Sequence, residues 1–168
     1  MNYETRKLRI YLETTIPNYL FEDKTNEKKL SKILDTWRLW GSIKQGLYDV
    51  VVSITVFDEI DKCPPAQKEK QAAMIRALAE IDYTLVEIDE NTERLATRYI
   101  KAGGLKPSSK TDALHIAAAS LANCDVVLSW NCSHITVFRA MKAVDAVNTD
   151  ELLKPLKLLS PTNFLGEE

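Results

Sequence analysis

Three acids and one amide stand where an apolar run stops or a helical run begins. Glu13 ends the strand-like stretch Leu8-Arg9-Ile10-Tyr11-Leu12, and Glu59 lies one to two turns into the helix that SITVFDEI opens. Asp112 sits at the start of the helical stretch SSKTDALHIAAA, and Asn131 follows a further strand-like run in VVLSWNCSHI. A carboxylate left ionised beside a buried strand costs several kcal/mol unless something neutralises it. Three carboxylates and an amide gathered at one edge repel each other unless a cation lies between them. Oxygen ligands of this kind suit Mg2+ or Mn2+, with water filling the remaining positions. A divalent ion held by Glu13, Glu59 and Asp112 can activate water and stabilise charge on a phosphate during in-line displacement.

The elements that must bring these residues together alternate along the chain. The first strand, residues 8–12, is followed by a short helix opened by Ile16-Pro17, since proline is tolerated in a first helical turn. From Asn26 to Gln45 the positions Leu30, Ile33, Leu34, Trp37, Trp40 and Ile43 keep helical spacing, and Gly46 stops that helix. Tyr48 to Ser53 is an uninterrupted β-branched run, the pattern of a strand covered on both faces. A helix over Thr55–Asp61, the break Cys63-Pro64-Pro65 and a helix over Gln67–Glu80 lead to a third strand, Thr84–Ile88. Asp89 caps a helix that Gly103-Gly104 ends. The loop Leu105–Ser109, a helix over Thr111–Asn123, the strand Asp125–Ser129, a helix near Thr136–Leu153 and a last strand, Leu156–Leu159, complete the order. Helices between apolar strands predict an α/β fold: a mostly parallel central sheet of about four to five strands with helices on both faces. Sites in such sheets form at the carboxyl ends of the strands, where all four positions fall.

The bulk properties set limits. The chain has 168 residues, 45% hydrophobic and 27% charged, with 5 Gly and 6 Pro, so one domain over residues 1–168 is expected and disorder is not. A net charge of −2 argues against coating nucleic acid through global charge, but leaves room for a local basic groove. Three cysteines, Cys63, Cys124 and Cys132, form no metal-type spacing and read as reduced thiols of a cytoplasmic protein. The start MNYETRKLRIY carries no leader-type apolar segment, and no run reaches the ~18 residues of a membrane span.

Each candidate also has a plainer reading. Ser109-Lys110-Thr111-Asp112 fits a capping box, in which an acid in the first helical turn reaches back to the cap. Thr55-Val56-Phe57-Asp58 has the same form, so Asp58 is assigned to capping and Glu59 to the site, although sequence alone leaves the choice between these neighbours open. His115 shares a helical face with Asp112, but the helix around it is apolar nearly all round, which points to a buried, hydrogen-bonded histidine. His134 is a better candidate for contacting substrate. Lys110, with Lys106, is placed for phosphate contact beside Asp112. Trp37, Trp40 and Phe57 could stack on bases, but their spacing says core or dimer surface first.

The sequence IYLETT, then VVVSITVFDEI, then KTDALHIAAA, then CDVVLSWNCSHI resembles the PIN-domain nucleases. The likeness is to VapC-type proteins of bacteria and archaea, the toxin halves of toxin–antitoxin pairs, and it runs from about Leu8 to Leu165. It implies a PIN-like fold, metal-dependent cleavage of RNA by water attack, an antitoxin protein that occupies the groove, and a homodimer. By position, Glu13, Glu59 and Asp112 take the places of the first three acids, and Asn131 stands where many members have a fourth Asp. Thr14 or Thr15 supplies a hydroxyl that helps to hold the metal or its water. Two departures matter. Glu13 replaces the more usual Asp, and Asn131 removes one charge and cannot act as a base. A catalytically weak PIN-fold module that binds RNA or protein is therefore the alternative. A haloacid-dehalogenase phosphatase would need a nucleophilic Asp with a second Asp two residues on, which ETT lacks. No Gly-x-Gly-x-x-Gly or Walker loop is present.

Overall fold

The computed structural model describes residues 6–166. The expectation of no leader segment rests in part on residues 1–5, which lie outside the described residues, as do 167–168. Five strands, β1 (Arg9–Leu12), β2 (Asp49–Ser53), β3 (Thr84–Val86), β4 (Val126–Leu128) and β5 (Lys157–Leu159), form one sheet in the order β3-β2-β1-β4-β5. Every pairing is parallel, with Ile10 opposite Val50 on one side and Val126 on the other. Parallel pairing follows from the sequence, because each strand is followed by a helical segment long enough to cross over.

The helices are α1 (Thr15–Leu20), α2 (Glu27–Lys44), α3 (Ile54–Asp61), α4 (Lys68–Ala79), α5 (Glu90–Lys101), α6 (Lys110–Leu121), α7 (Phe138–Asp150) and α8 (Pro161–Gly166). Strand residues alternate between the two faces. Ile10, Leu12, Val50, Val52, Val126 and Leu128 pack with Leu20 of α1, Trp40 of α2, Ile60 of α3, Leu78 of α4 and Phe164 of α8. Tyr11, Val51, Val127 and Leu158 face the other way, onto Tyr99 of α5, Ile116 of α6 and Val144 of α7. Each aliphatic side chain so covered contributes about 1.5–3 kcal/mol. Two cores back to back leave β1 with no solvent face: Ile10, Tyr11 and Leu12 are fully buried.

α6 lies flat in the second core, with His115 and every residue from Ile116 to Ser120 buried, which its alanines permit by letting neighbours approach closely. A similar approach explains Gly104: a Cβ there would come within 2.5 Å of the Ala143 Cβ on α7. Gly103, at φ +84°, takes the left-handed turn that ends α5.

Several boundaries differ from the sequence reading, each for a local reason. β3 stops at Val86, not Ile88, because its only neighbour, β2, ends at Ser53 opposite Val86. α7 starts at Phe138, not Thr136, because the N–H groups of Ile135 and Thr136 both turn back to the Asn131 carbonyl. α8 was not anticipated, although Ser160-Pro161 is a helix-start signal and the Ser160 hydroxyl accepts from the Asn163 N–H. Neither expected capping box forms. α3 runs on directly from Ser53, so Thr55 already lies inside the helix and Asp58 is an exposed residue of its body. α6 follows a 3-10 turn, Pro107–Ser109, and the Ser109 side chain makes no cap bond, so Asp112 is free to turn elsewhere.

Candidate metal centre

β1 is the strand at which the order of the sheet reverses, with β2 to one side and β4 to the other. The crevice beyond the carboxyl end of such a strand is where open α/β sheets bind ligands. Glu13 stands in that crevice, its N–H donating to the Leu128 carbonyl so that the residue prolongs β1 by one position. Its side chain is only 3% exposed. The Thr15 N–H (3.0 Å), the Thr15 hydroxyl (2.5 Å) and the Ser129 hydroxyl (2.8 Å) all donate to one carboxylate oxygen, Oε2. Thr15 is itself fixed by the Trp130 N–H, which donates to its hydroxyl oxygen.

Glu59 projects from α3 toward the same crevice. The Thr14 hydroxyl donates to its Oε1 at 2.6 Å, and His115 Nε2 lies 2.5 Å from the same oxygen. The other ring nitrogen of His115 meets the Tyr11 hydroxyl at 2.6 Å, and that hydroxyl meets the Ser53 hydroxyl at 2.7 Å. A continuous polar chain, Ser53–Tyr11–His115–Glu59–Thr14, thus threads the buried end of the sheet. The pattern is the same for both acids: one oxygen is held by the protein, and Glu13 Oε1 and Glu59 Oε2 receive no donor from any described residue.

Asp112 and Asn131 form a neighbouring group. The Asn131 amide donates to Asp112 Oδ1 at 3.2 Å, His134 Nδ1 lies 3.2 Å from Oδ2, and the Asn131 side-chain oxygen accepts the His134 N–H. The Asn131 amide therefore links Asp112 to the loop after β4, a link that an Asp at this position could not donate. His134 touches Asp112 and is partly exposed. Lys110 opens α6 two residues before Asp112, exposed to solvent. Trp37 is half-exposed, while Trp40 is core and Phe57 packs on Tyr83.

Electrostatics separate the three acids. Burial pushes the Glu13 carboxyl above the usual range, against the opposing pull of His115 and of the Thr15 and Ser129 donors. Burial acts on Glu59 too, but the hydrogen bond and charge of His115, with Thr14, outweigh it and hold its carboxyl low. Asp112 is raised by burial, with His115 and His134 opposing. For His115, burial disfavours the cation, yet Glu59, Glu13 and Asp112 together raise it. Among the described residues no Lys or Arg forms an ion pair with any of the three acids.

Donor atoms of Glu13, Glu59 and His115 lie within 4.8 Å of one another, a spacing that fits the coordination sphere of one divalent ion. Asp112, expected as the third ligand, stands outside that group. Sequence reasoning placed His115 in the interior, where it is, but not in contact with Glu59. Tyr11, Ser53 and Ser129 also escaped it. The available signals were a tyrosine in the middle of a doubly covered strand, whose hydroxyl must find a partner, and a serine at the end of each strand flanking β1.

No family model and no curated protein matches this sequence. In three dimensions the chain is similar to one in the crystal structure of VapBC2 from Rickettsia felis bound to a DNA fragment from their promoter. The TM-score is 0.56 at 12% identity, over 91% of this chain and 98% of that one. At that identity the likeness is one of fold, and it agrees with the fold that the motifs implied: the chain has a PIN-like α/β fold.

Proposed function

We propose that this protein is a metal-dependent ribonuclease acting at the cluster of Glu13, Glu59 and Asp112, and the toxin of a toxin–antitoxin pair. One observation carries the reading: two carboxylates, each with one oxygen fixed and one without a donor among the described residues, lie together at the switch point of a VapC-type fold with no lysine or arginine among the described residues in ion-pair contact with them. Mg2+ or Mn2+ bound there would make a bound water more acidic and supply positive charge for the phosphate oxygens. The chain's own part is to hold Glu13 through Thr15 and Ser129, to hold Glu59 through Thr14 and His115, and to present Asp112 beside them. His134, beside Asp112, and Lys110, exposed at the start of α6, are the side chains that would meet the RNA backbone. Fold likeness to a VapBC2 complex supports an antitoxin partner, and a homodimer and a cytoplasmic location complete the reading. Among the described residues no helix is long and apolar enough to cross a membrane.

RNA cleavage by the purified chain with Mg2+ and then Mn2+, beside Asp112→Asn, tests the proposal. Cleavage that EDTA abolishes, and that the folded variant lacks, supports it. Silence of the folded wild type with either metal would leave the second reading, a catalytically weak module that binds RNA or protein. The observation favouring that alternative is Asn131, whose amide donates to Asp112 and occupies one of its oxygens.

A further inference from the structure

A cleft of about 570 Å3 opens directly beside Glu59, between α3 and the first turns of α6. This is the size range of a small-molecule site, and it adjoins the cluster. Ile54, Ile88 and Leu114 form its apolar walls, each only half-buried, so they leave a gap into which a flat apolar face can slide. Its polar edge is different in kind. Asp58 and Lys62 lie one turn apart on α3, hence on one side of that helix, yet they form no ion pair with each other. The Asp58 carboxylate accepts no hydrogen bond from any described residue. Thr55 and Thr111 line the same cleft.

Single-stranded RNA is read by taking a base out of its stack, seating its faces between apolar side chains and bonding its Watson–Crick edge. A carboxylate accepts and cannot donate at neutral pH, while an ammonium donates and cannot accept. Guanine alone among the four bases presents two neighbouring donors, N1–H and N2–H, beside an acceptor, O6. We propose that this cleft is a base site for a guanine adjacent to the cleaved phosphate. Its faces pack on Ile88 and Leu114, its N1–H and N2–H donate to Asp58, and its O6 accepts from Lys62. Uracil offers that carboxylate one donor, and cytosine and adenine offer only their amino groups. The inference rests on the ribonuclease reading for the position of the phosphate, but the cleft binds the base without a metal.

The test titrates 5′-GMP, 5′-AMP, 5′-CMP and 5′-UMP in EDTA into wild type and Asp58→Asn, reading the methyl resonances of isoleucine and leucine. GMP is expected to shift Ile54, Ile88 and Leu114 and to bind at least tenfold more tightly than UMP. Asp58→Asn, an exposed substitution that leaves a single acceptor, is expected to erase that preference. Equal binding of all four nucleotides, or shifts confined to other methyls, overturns the base site. Mapping cuts in a mixed-sequence RNA with Mn2+ keeps the two ideas apart. Cuts gathered beside guanosine in wild type and scattered in the variant support the site. Cleavage indifferent to guanosine overturns it while leaving the ribonuclease intact. GMP bound as described, with no cleavage under any metal, supports the base site and sinks the ribonuclease reading.

Discussion

Two carboxylates at opposite ends of the same sheet are treated in opposite ways. Asp125 precedes β4 at the amino edge, where its side chain accepts the Arg9 N–H at 2.7 Å and an Arg6 guanidinium hydrogen bond at 2.9 Å, and pairs with Lys154. Those partners outweigh burial and hold its carboxyl below the usual range. Glu13 follows β1 at the carboxyl edge, deeper in the protein, and receives only hydroxyls and an N–H; burial wins and its carboxyl is raised. Where the charge serves only the fold, the chain brings its own lysine or arginine, as it also does for Glu22 and Glu151. At the carboxyl edge no lysine or arginine among the described residues forms an ion pair with Glu13, Glu59 or Asp112, and the buried imidazole of His115 stands beside Glu59 instead.

The sharpest way to break this contrast is Glu13→Gln. Cleavage should fall by about two orders of magnitude or more, the scale of losing one group that stabilises developing charge. Thermal stability without metal should hold or rise, and the increase in melting temperature with Mn2+ seen for wild type should vanish. A large drop in metal-free stability would mean that Glu13 serves the fold, as Asp125 does. Next in size is His115→Ala, which releases Glu59 from its support. Mn2+ affinity, measured by calorimetry, should weaken about 10- to 100-fold, as for other residues that orient a ligand. His115→Gln, which keeps a donor, should recover part of that loss; equal loss in both variants would count against an orienting role.

Asp125→Asn is the mirror experiment. It should lower stability by about 1–2 kcal/mol in denaturant melts, through lost charge-assisted bonds, while cleavage per folded molecule stays unchanged. The smallest effect is in pH. Asp125, lowered from 3.8, contributes stability that is present above that value and fades as pH falls toward its folded value. Glu13, raised from 4.5, has the opposite sign: its contribution is present below 4.5 and is lost as pH rises through its folded value. In metal-free melts, Asp125→Asn should therefore flatten the acid side of the stability curve and Glu13→Gln the side above pH 4.5. Identical pH curves for the two variants would erase the distinction drawn between the two edges.

Much of this was legible in the sequence because it depends on short-range pattern. Apolar runs such as Tyr48–Ser53 predict covered strands, helical spacing between them forces parallel pairing, and strand ends then point Glu13, Glu59 and Asn131 to one edge. What was not legible depends on which side chain reaches which atom. Asp112 and His115 share a helix face in the sequence, but only packing shows that the imidazole turns down to Tyr11 and Glu59 while the carboxylate turns out to Asn131 and His134. The two supposed capping boxes failed for a related reason. α3 begins at Ile54, earlier than a cap at Thr55 would place it, whereas α6 begins where a cap at Ser109 would place it but continues a 3-10 turn, and the Ser109 side chain makes no cap bond.

The bond from the Ser129 hydroxyl to Glu13 spans 116 residues of chain. At the pace of synthesis, about 5–20 residues per second, Glu13 leaves the ribosome on the order of ten seconds before its partner exists. Thr15 can reach Glu13 at once, but Glu59, His115 and Ser129 arrive in turn, and the loop that holds Asp112 comes last. A chain cut short in the exposed turn at Gly103 would hold Glu13 and Glu59 without α6 or β4, so it would have no crevice to close. On the ribonuclease reading, the site that would cut RNA is assembled only after β4 and the loop behind it have emerged, late in translation.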